Sequence, residues 1–124
     1  MSAPADLVIL EERIAPAVLS DLVRRTFGDM VKFVVDVQRG AMAVGGELHA
    51  DGEALLLEAG SEQAALWGGN YYPGRGAAAC IEYTSLINIR PSQGNRAMRI
   101  DDPGLRERMR QLVFQMLGEG EPLP

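Results

Sequence analysis

Two polar segments of the chain contain the residue types that could do chemistry. Residues 45–53 include the only histidine, His49, together with three carboxylates and three glycines. Residues 88–96 include two arginines and four other polar side chains around a proline and a glycine. A histidine oriented by a carboxylate is suited to general-base catalysis, and arginines are suited to binding a carboxylate or a phosphate. The pattern therefore predicts a polar cleft between the His49 turn and the Arg90–Arg96 loop.

His49 is the candidate catalytic residue, because histidine is the side chain that titrates near neutral pH. On a strand covering residues 41–49 it would share a face with Glu47, and Asp51 would follow in the adjacent turn. Either carboxylate could then orient the imidazole while Arg96 stabilises an anion, as in a hydrolase-like enzyme. The alternative, a hydrogen-bonded structural histidine at the end of a strand, is the more common use of such a residue.

The same three residues also carry donor atoms for a divalent metal. Glu47, His49 and Asp51 alternate along a strand, however, and this spacing is a weak metal-binding signature. We therefore predict neither a metal site nor another cofactor.

The second polar segment is the candidate ligand-binding loop. After Pro91 the chain makes a tight turn whose backbone N–H groups could converge on an anion, and the flanking arginines carry forked donors. The alternative is a well-capped turn with solvated arginines. No phosphate-binding glycine motif is present, so nothing specifies a nucleotide. The expected ligand-binding residues are Arg90, Ser92, Gln93, Asn95 and Arg96.

Size, charge and composition limit the class of protein. The 124 residues are 47% hydrophobic and 23% charged, which predicts one globular domain at 1–118 and a flexible tail at 119–124. The net charge of −5 argues against nucleic-acid binding, which needs a basic surface. The sequence shows no signal peptide and no run of apolar residues long enough to span a membrane. The single cysteine, Cys80, allows no internal disulfide, so we expect a cytoplasmic protein with Cys80 buried among apolar side chains.

Hydrophobic periodicity predicts the elements that must position these residues. One apolar stripe of helical spacing follows Pro16 and ends at Gly28, and another follows the N-cap Asp102 and ends at Gly118. Apolar alternation and short apolar runs predict strands at residues 7–10, 31–37, 41–49, 54–58, 66–72 and 80–90. The order β-α-β-β-β-β-β-α predicts an α+β fold. Its sheet would be an antiparallel β-meander of about five to six strands, with two helices packed on one face.

Residues 51–59 allow two interpretations. Asp51-Gly52 is a strong signal for a two-residue hairpin, because a type I′ turn needs positive φ at both positions. A third strand would then follow. The competing interpretation is a short helix starting at Asp51, since the leucines at 55–57 are compatible with either element. We favour the strand.

Aromatic residues support a further hypothesis, a homodimeric interaction module. Trp67, Tyr71 and Tyr72 lie close together around two glycines, and they could form a wall for a partner beside unpaired strand edges. Core packing is the alternative use of these side chains. We therefore rank binding of a small anionic ligand first, a hydrolase-like activity second and homodimerisation third.

Four separate blocks of the sequence resemble a family of small bacterial proteins that is defined only as a domain of unknown function. The blocks are FGDMVK at 27–32, GGELHAD at 45–51, LWG at 66–68 and SLINIRPSQGNR at 85–96. They occur in the right order, and the resemblance runs from about Phe27 to Met109. It implies a bacterial, cytosolic, single-domain protein but no activity, substrate or catalytic residues, so no role can be transferred from it.

Overall fold

The chain contains five strands, which form one antiparallel sheet. The computed structural model describes residues 6–124. The strands are β1 (Leu7–Leu10), β2 (Val31–Asp36), β3 (Met42–Gly45), β4 (Leu66–Tyr71) and β5 (Ile81–Glu82). Across the sheet they follow the order β1-β3-β2-β4-β5, so β2 is central and β1 and β5 are the edges.

Three helices cover the two faces of this sheet. They are α1 (Pro16–Arg25), α2 (His49–Glu58) and α3 (Pro103–Met116). The start of α3 is as predicted, because the carboxylate of Asp102 accepts hydrogen bonds from the N–H groups of Gly104 and Leu105. Within residues 6–124, none of the helices is both long and apolar enough to cross a membrane.

Alternation of side chains along β2 separates two hydrophobic layers. Val31, Phe33 and Val35 belong to the larger layer, which also holds the apolar residues of α1 and α3. Val34 belongs to the smaller layer beneath α2, where it packs near Leu56. The predicted α+β class, the antiparallel sheet and the packing of two helices on one face are therefore confirmed, and α2 is an additional helix on the opposite face.

The preference for a strand after Asp51 is wrong, because this segment forms most of α2. Gly52 does not have a positive φ, so it makes no type I′ turn. It is buried, and a Cβ at this position would lie 3.1 Å from Cγ2 of Val34 and 3.4 Å from Cβ of Ala43. The glycine thus allows the helix to approach the sheet closely.

The predicted meander is also corrected by α2. This helix carries the chain across the sheet, so β2 pairs with β3 on one side and with β4 on the other. A tight hairpin between β3 and β4 would have made them neighbours, whereas a helical crossover can join two strands that flank a third. The observed order is β-α-β-β-α-β-β-α.

The long strand expected at residues 80–90 is reduced to the two residues of β5. Beyond it the chain forms short 3₁₀ turns at Leu86–Asn88 and Pro91–Gln93. The hydroxyl of Ser85 accepts a hydrogen bond of 3.3 Å from the N–H of Ile87 and so begins the first turn. Such local bonds compete with strand pairing, which explains why the apolar alternation misled the prediction.

Residues 119–124, expected to form a flexible tail, lie against the body of the domain. The hydroxyl of Tyr71 accepts a hydrogen bond of 2.9 Å from the N–H of Gly120. Farther along, the hydroxyl of Ser20 donates to the carbonyl oxygen of Pro124 at 3.0 Å. These contacts tie the segment to β4 and α1.

Candidate functional site

Most of the N–H donors of the Arg90 guanidinium form hydrogen bonds within the protein. The guanidinium donates from Nη1 to the carbonyl oxygen of Gln63 at 2.7 Å and from Nε to that of Ile87 at 3.1 Å. A further hydrogen bond runs from Nη2 to the carbonyl oxygen of Leu66. The side chain is only 10% exposed. Arg90 therefore links residues 63–66 to the turn at Leu86–Asn88 and has little donor capacity left for a ligand.

Three further contacts fix the same guanidinium, the first being a hydrogen bond of 3.2 Å from Nη1 to Oε1 of Gln93. The central carbon of the guanidinium lies 4.4 Å from the centre of the Trp67 ring, and Nη2 lies 3.9 Å from Oε2 of Glu53. Burial lowers the pKa of Arg90, and the carboxylate of Glu53 opposes this effect. Since an arginine pKa lies far above neutral pH, the group stays charged, and its role is structural.

The loop after Arg90 is held rigidly by backbone and side-chain hydrogen bonds. Backbone bonds link Arg90 and Asn95 in both directions, at 2.7 and 3.1 Å. Nδ2 of Asn95 donates to the carbonyl oxygens of Asn88 and Ala97, each at 2.8 Å. Gly94 takes the left-handed conformation that closes the turn. The turn is therefore well capped, which was the alternative to an open anion nest.

Arg96 differs from Arg90 in being exposed, and it makes no hydrogen bond or ion pair within residues 6–124. It lines a surface cleft of about 570 Å³, the Arg96 cleft, between the loop and the start of α3. The cleft is lined by Ala64, Trp67, Gln93, Gly94, Asn95, Arg96, Ala97, Asp101, Asp102 and Leu105. Of the expected ligand-binding residues, Gln93, Asn95 and Arg96 thus share one cleft, whereas Arg90 and Ser92 do not line it.

His49 is the first residue of α2 and lies on the other face of the sheet. Its Nε2 is 2.8 Å from the carbonyl oxygen of Gly69. Because a carbonyl oxygen can only accept, Nε2 carries the proton and the neutral ring keeps its lone pair on Nδ1. Burial lowers the pKa of His49, while the bond to Gly69 and the side chain of Asn70 oppose this shift. At neutral pH the imidazole is therefore uncharged.

The carboxylates expected beside His49 are not its neighbours. Glu47 is exposed and precedes the helix, and Asp51 lies two residues farther along it. Residues two apart on a helix do not face each other. The expected shared strand face is therefore wrong, because the strand ends at Gly45 and a helix begins at His49.

A row of polar side chains on the sheet, the polar row, lies near His49 instead. It consists of Lys32, Asn70 and Glu82, which are direct cross-strand partners on β2, β4 and β5. Nδ2 of Asn70 donates to Oε1 of Glu82 at 2.7 Å, and the hydroxyl of Tyr72 lies 3.4 Å from the same oxygen. Asn70 is 8% exposed, and its Oδ1 has no hydrogen-bond partner among residues 6–124. Strand alternation places polar residues on this face, but none of the three was among the residues predicted to form a site.

His49 and Arg96 do not share a cleft. The ring of His49 lies beneath the start of α2, beside Lys32 and Leu48. The Arg96 cleft opens beside Trp67 and Leu105, which belong to or pack against the layer of α1 and α3. The single cleft predicted between the His49 turn and the arginine loop is therefore replaced by two separate regions.

The remaining candidate residues are mostly in the core. Trp67 is 5% exposed and Tyr71 is 1% exposed, so neither can form the aromatic wall expected for a partner. Cys80 is buried, as predicted, and burial raises the pKa of its thiol. Within residues 6–124, no three His, Cys, Asp or Glu side chains are grouped closely enough to hold a metal ion.

Comparison with known proteins agrees with the resemblance noted in the sequence. Residues 8–116 match the family described as protein of unknown function, DUF5674. No curated protein and no solved structure matches the chain. Because the match covers most of the sequence, the chain belongs to the DUF5674 family.

Proposed function

We propose that this protein is a binding domain for a small anionic ligand and that the ligand occupies the Arg96 cleft. The exposed guanidinium of Arg96 in that cleft, which has no partner within residues 6–124, is the observation that carries the proposal. The cleft volume of about 570 Å³ falls in the range typical of small-molecule sites. A guanidinium presents parallel N–H donors that fit a carboxylate or a phosphate.

The rigidity of the loop supports this assignment. Arg90 and Asn95 fix the turn, and Nε2 of Gln93 donates to the carbonyl oxygen of Ala64 at 3.0 Å, across the cleft wall. A site that is ordered before binding loses less conformational entropy when the ligand arrives. Arg90 thus binds no ligand itself but fixes the loop that positions Arg96 for binding.

Two aspartates limit the charge of the ligand. Asp101 and Asp102 lie in the same cleft, and Oδ1 of Asp102 is occupied by the start of α3. Asp101 is exposed and lies 3.3 Å from Nε of Arg99. Since carboxylates repel anions, a polyphosphate would be disfavoured. The best fit is a monoanion that also carries a hydroxyl or another hydrogen-bond donor.

A thermal-shift series tests the proposal. The probes are acetate, L-lactate, inorganic phosphate and ATP, with the native protein, Arg96→Gln and the control Arg24→Gln, which alters an exposed arginine on α1. A probe at 100 times its Kd should stabilise the protein by about 2.7 kcal/mol, which is a shift of several degrees in Tm. We expect lactate to give the largest shift and Arg96→Gln to abolish it.

The same series discriminates between this site and the cleft predicted from the sequence. His49→Gln should leave the lactate shift unchanged, because His49 lies on the other face of the sheet. A shift that survives Arg96→Gln, or no shift with any probe in a protein that melts cooperatively, would overturn the proposal.

A further inference from the structure

We propose that the edge of the sheet at β1 binds an extended segment of a partner protein as an additional strand. The segment carries apolar side chains at alternate positions and lysine or arginine at the end that lies beside Glu11 and Glu12. This inference goes beyond the binding of a small anion and does not depend on the Arg96 cleft, because different residues carry it.

The outer side of β1 offers backbone hydrogen-bonding groups to a partner. In the part of the chain that the structure describes, β1 pairs only with β3. The N–H of Gly46 donates to the carbonyl oxygen of Asp6 at 2.9 Å. Because hydrogen-bonded pairs alternate along an antiparallel ladder, Val8 bonds to β3, whereas the N–H and C=O groups of Leu7 and Ile9 point away from it. Such outward groups are a template for a further strand.

A groove beside this edge, the β1 groove, can receive side chains of the added strand. It has a volume of about 780 Å³ and lies between β1 and the start of α1. Val8 and Leu10 line it from the sheet, and Ala15 and Val18 line it from the helix. Val18 is 46% exposed, so its apolar surface is open to a partner. Because side chains alternate along a strand, every second residue of the added strand would enter the groove.

Two carboxylates determine the charge of the partner. Glu11 and Glu12 line the β1 groove, are exposed and form no ion pair within residues 6–124. Arg13 also lines the groove, but its Nη1 donates to the carbonyl oxygen of Phe114 at 3.4 Å. Antiparallel pairing, the more stable kind, places the beginning of the added strand beside the two carboxylates. We therefore expect the basic residues of the partner to precede its apolar run.

The same charges disfavour a second copy of this chain as the occupant. A two-fold axis would bring two β1 edges together antiparallel, so the carboxylates at the end of each strand would approach Asp6 of the other copy. Like charges across a strand pair are destabilising. A basic segment of another protein meets no such repulsion.

Two capped heptapeptides test the charge and the pairing by calorimetry and NMR. One has two lysines followed by alternating valine and threonine, and the other has two glutamates in place of the lysines. We expect saturable binding of the lysine peptide and binding of the glutamate peptide at least about tenfold weaker. The amides of Leu7 and Ile9 should become protected from hydrogen exchange when the lysine peptide binds. Absence of saturable binding, or equal binding of the two peptides, would overturn the inference.

Methylation of the peptide backbone tests the added strand directly. One version of the lysine peptide carries N-methyl groups on its valines and another carries them on its threonines, so each version loses the N–H donors of one edge. We expect one version to lose binding and the other to keep it, because only one edge of the peptide faces β1. Loss of binding by both versions, or by neither, would exclude strand pairing.

Matched variants of α1 locate the peptide in the β1 groove. Val18→Arg should weaken binding of the lysine peptide at least about tenfold, because it fills the groove and places a cation near the lysines. Ala17→Arg, an exposed change that does not line the groove, should leave binding intact. Both positions are exposed, so neither change should lower Tm. Equal binding by the two variants would place the peptide elsewhere.

Two further variants separate the contributions of charge and of the Arg96 cleft. The double substitution Glu11→Gln, Glu12→Gln should abolish the preference for the lysine peptide over the glutamate peptide. Arg96→Gln should leave binding of the lysine peptide intact, even if it abolishes binding of small anions. Sedimentation equilibrium of the native protein and of Val18→Arg tests the alternative occupant. A native dimer that Val18→Arg dissociates would overturn the inference, because a second copy would then occupy the groove.

Discussion

The side chain of Asn88 pairs with the backbone of Gly68 as a neighbouring strand would. Oδ1 of Asn88 accepts a hydrogen bond of 2.9 Å from the N–H of Gly68, and Nδ2 donates to the carbonyl oxygen of the same residue, also at 2.9 Å. Nδ2 also donates to the carbonyl oxygen of Met98 at 3.1 Å. One carboxamide thus extends the pairing of β4 beyond the end of the short strand β5, and it anchors the loop that carries Arg90.

Asn88→Ala should destabilise the fold, because it leaves both polar groups of Gly68 buried and unpaired. We expect a loss of about 2–4 kcal/mol in the free energy of unfolding, measured by urea denaturation. Asn88→Asp should be at least as damaging, since it removes the donor and buries a charge. Gln111→Ala, an exposed change on α3, serves as the control. A loss below about 0.5 kcal/mol in Asn88→Ala would contradict this role.

Gly68→Ala should destabilise the protein through a steric conflict with Ser85. A Cβ at residue 68 would lie 2.8 Å from Cβ of Ser85 and 3.1 Å from Cδ2 of His49. Overpacking of this kind costs about 1–3 kcal/mol. Ser85→Gly removes the nearest atoms, so Gly68→Ala should cost less in that background, and a double-mutant cycle measures the difference. Equal costs in both backgrounds would show that the conflict lies elsewhere.

The titration of His49 should make the protein less stable in mild acid. Its pKa is lowered from the ordinary value of 6.5, chiefly by burial, so the unfolded chain binds this proton more tightly than the folded one. The stabilisation is therefore complete above about pH 6.5 and is lost as the pH falls through the lower folded pKa. The slope cannot exceed about 1.4 kcal/mol per pH unit.

Measurement of this effect is simplified because the chain has a single histidine. The imidazole signals in an NMR titration report the folded pKa directly, and denaturation at several pH values reports the stability. His49→Gln should remove the pH dependence in this window, because it removes the only imidazole in the sequence. A folded pKa at or above 6.5 would contradict the prediction.

Arg90→Lys should destabilise the fold although it preserves the charge. A lysine lacks the forked N–H donors of a guanidinium, so it cannot donate to the carbonyl oxygens of Gln63, Leu66 and Ile87 together. It also loses much of the contact with the Trp67 ring. We expect a loss of about 2–4 kcal/mol in urea denaturation. Arg96→Lys should leave stability unchanged, because Arg96 is exposed and has no comparable bonds to the part of the chain that the structure describes. Equal effects of the two substitutions would refute the division of roles between these arginines.

Much of the fold could be predicted from local patterns. The helix that follows Pro16, the N-cap Asp102 and the buried alternation of β2 each depend on neighbouring residues, so the sequence was sufficient to identify them. The segment after Asp51 could not be predicted in this way. Asp-Gly has the same local signature in a hairpin turn and in a helix that presses a glycine against a sheet.

The candidate sites show the same division. The sequence by itself determined the α+β class, the buried cysteine and the two polar segments, because hydrophobic periodicity and residue type suffice for these. Only the tertiary structure decided that Arg90 is bonded to backbone carbonyl oxygens while Arg96 lines an open cleft, and that His49 lies beside Asn70 rather than Glu47. These relations join residues distant in sequence. They depend on the helical crossover of α2 and on the turns after β5, which no local pattern specifies.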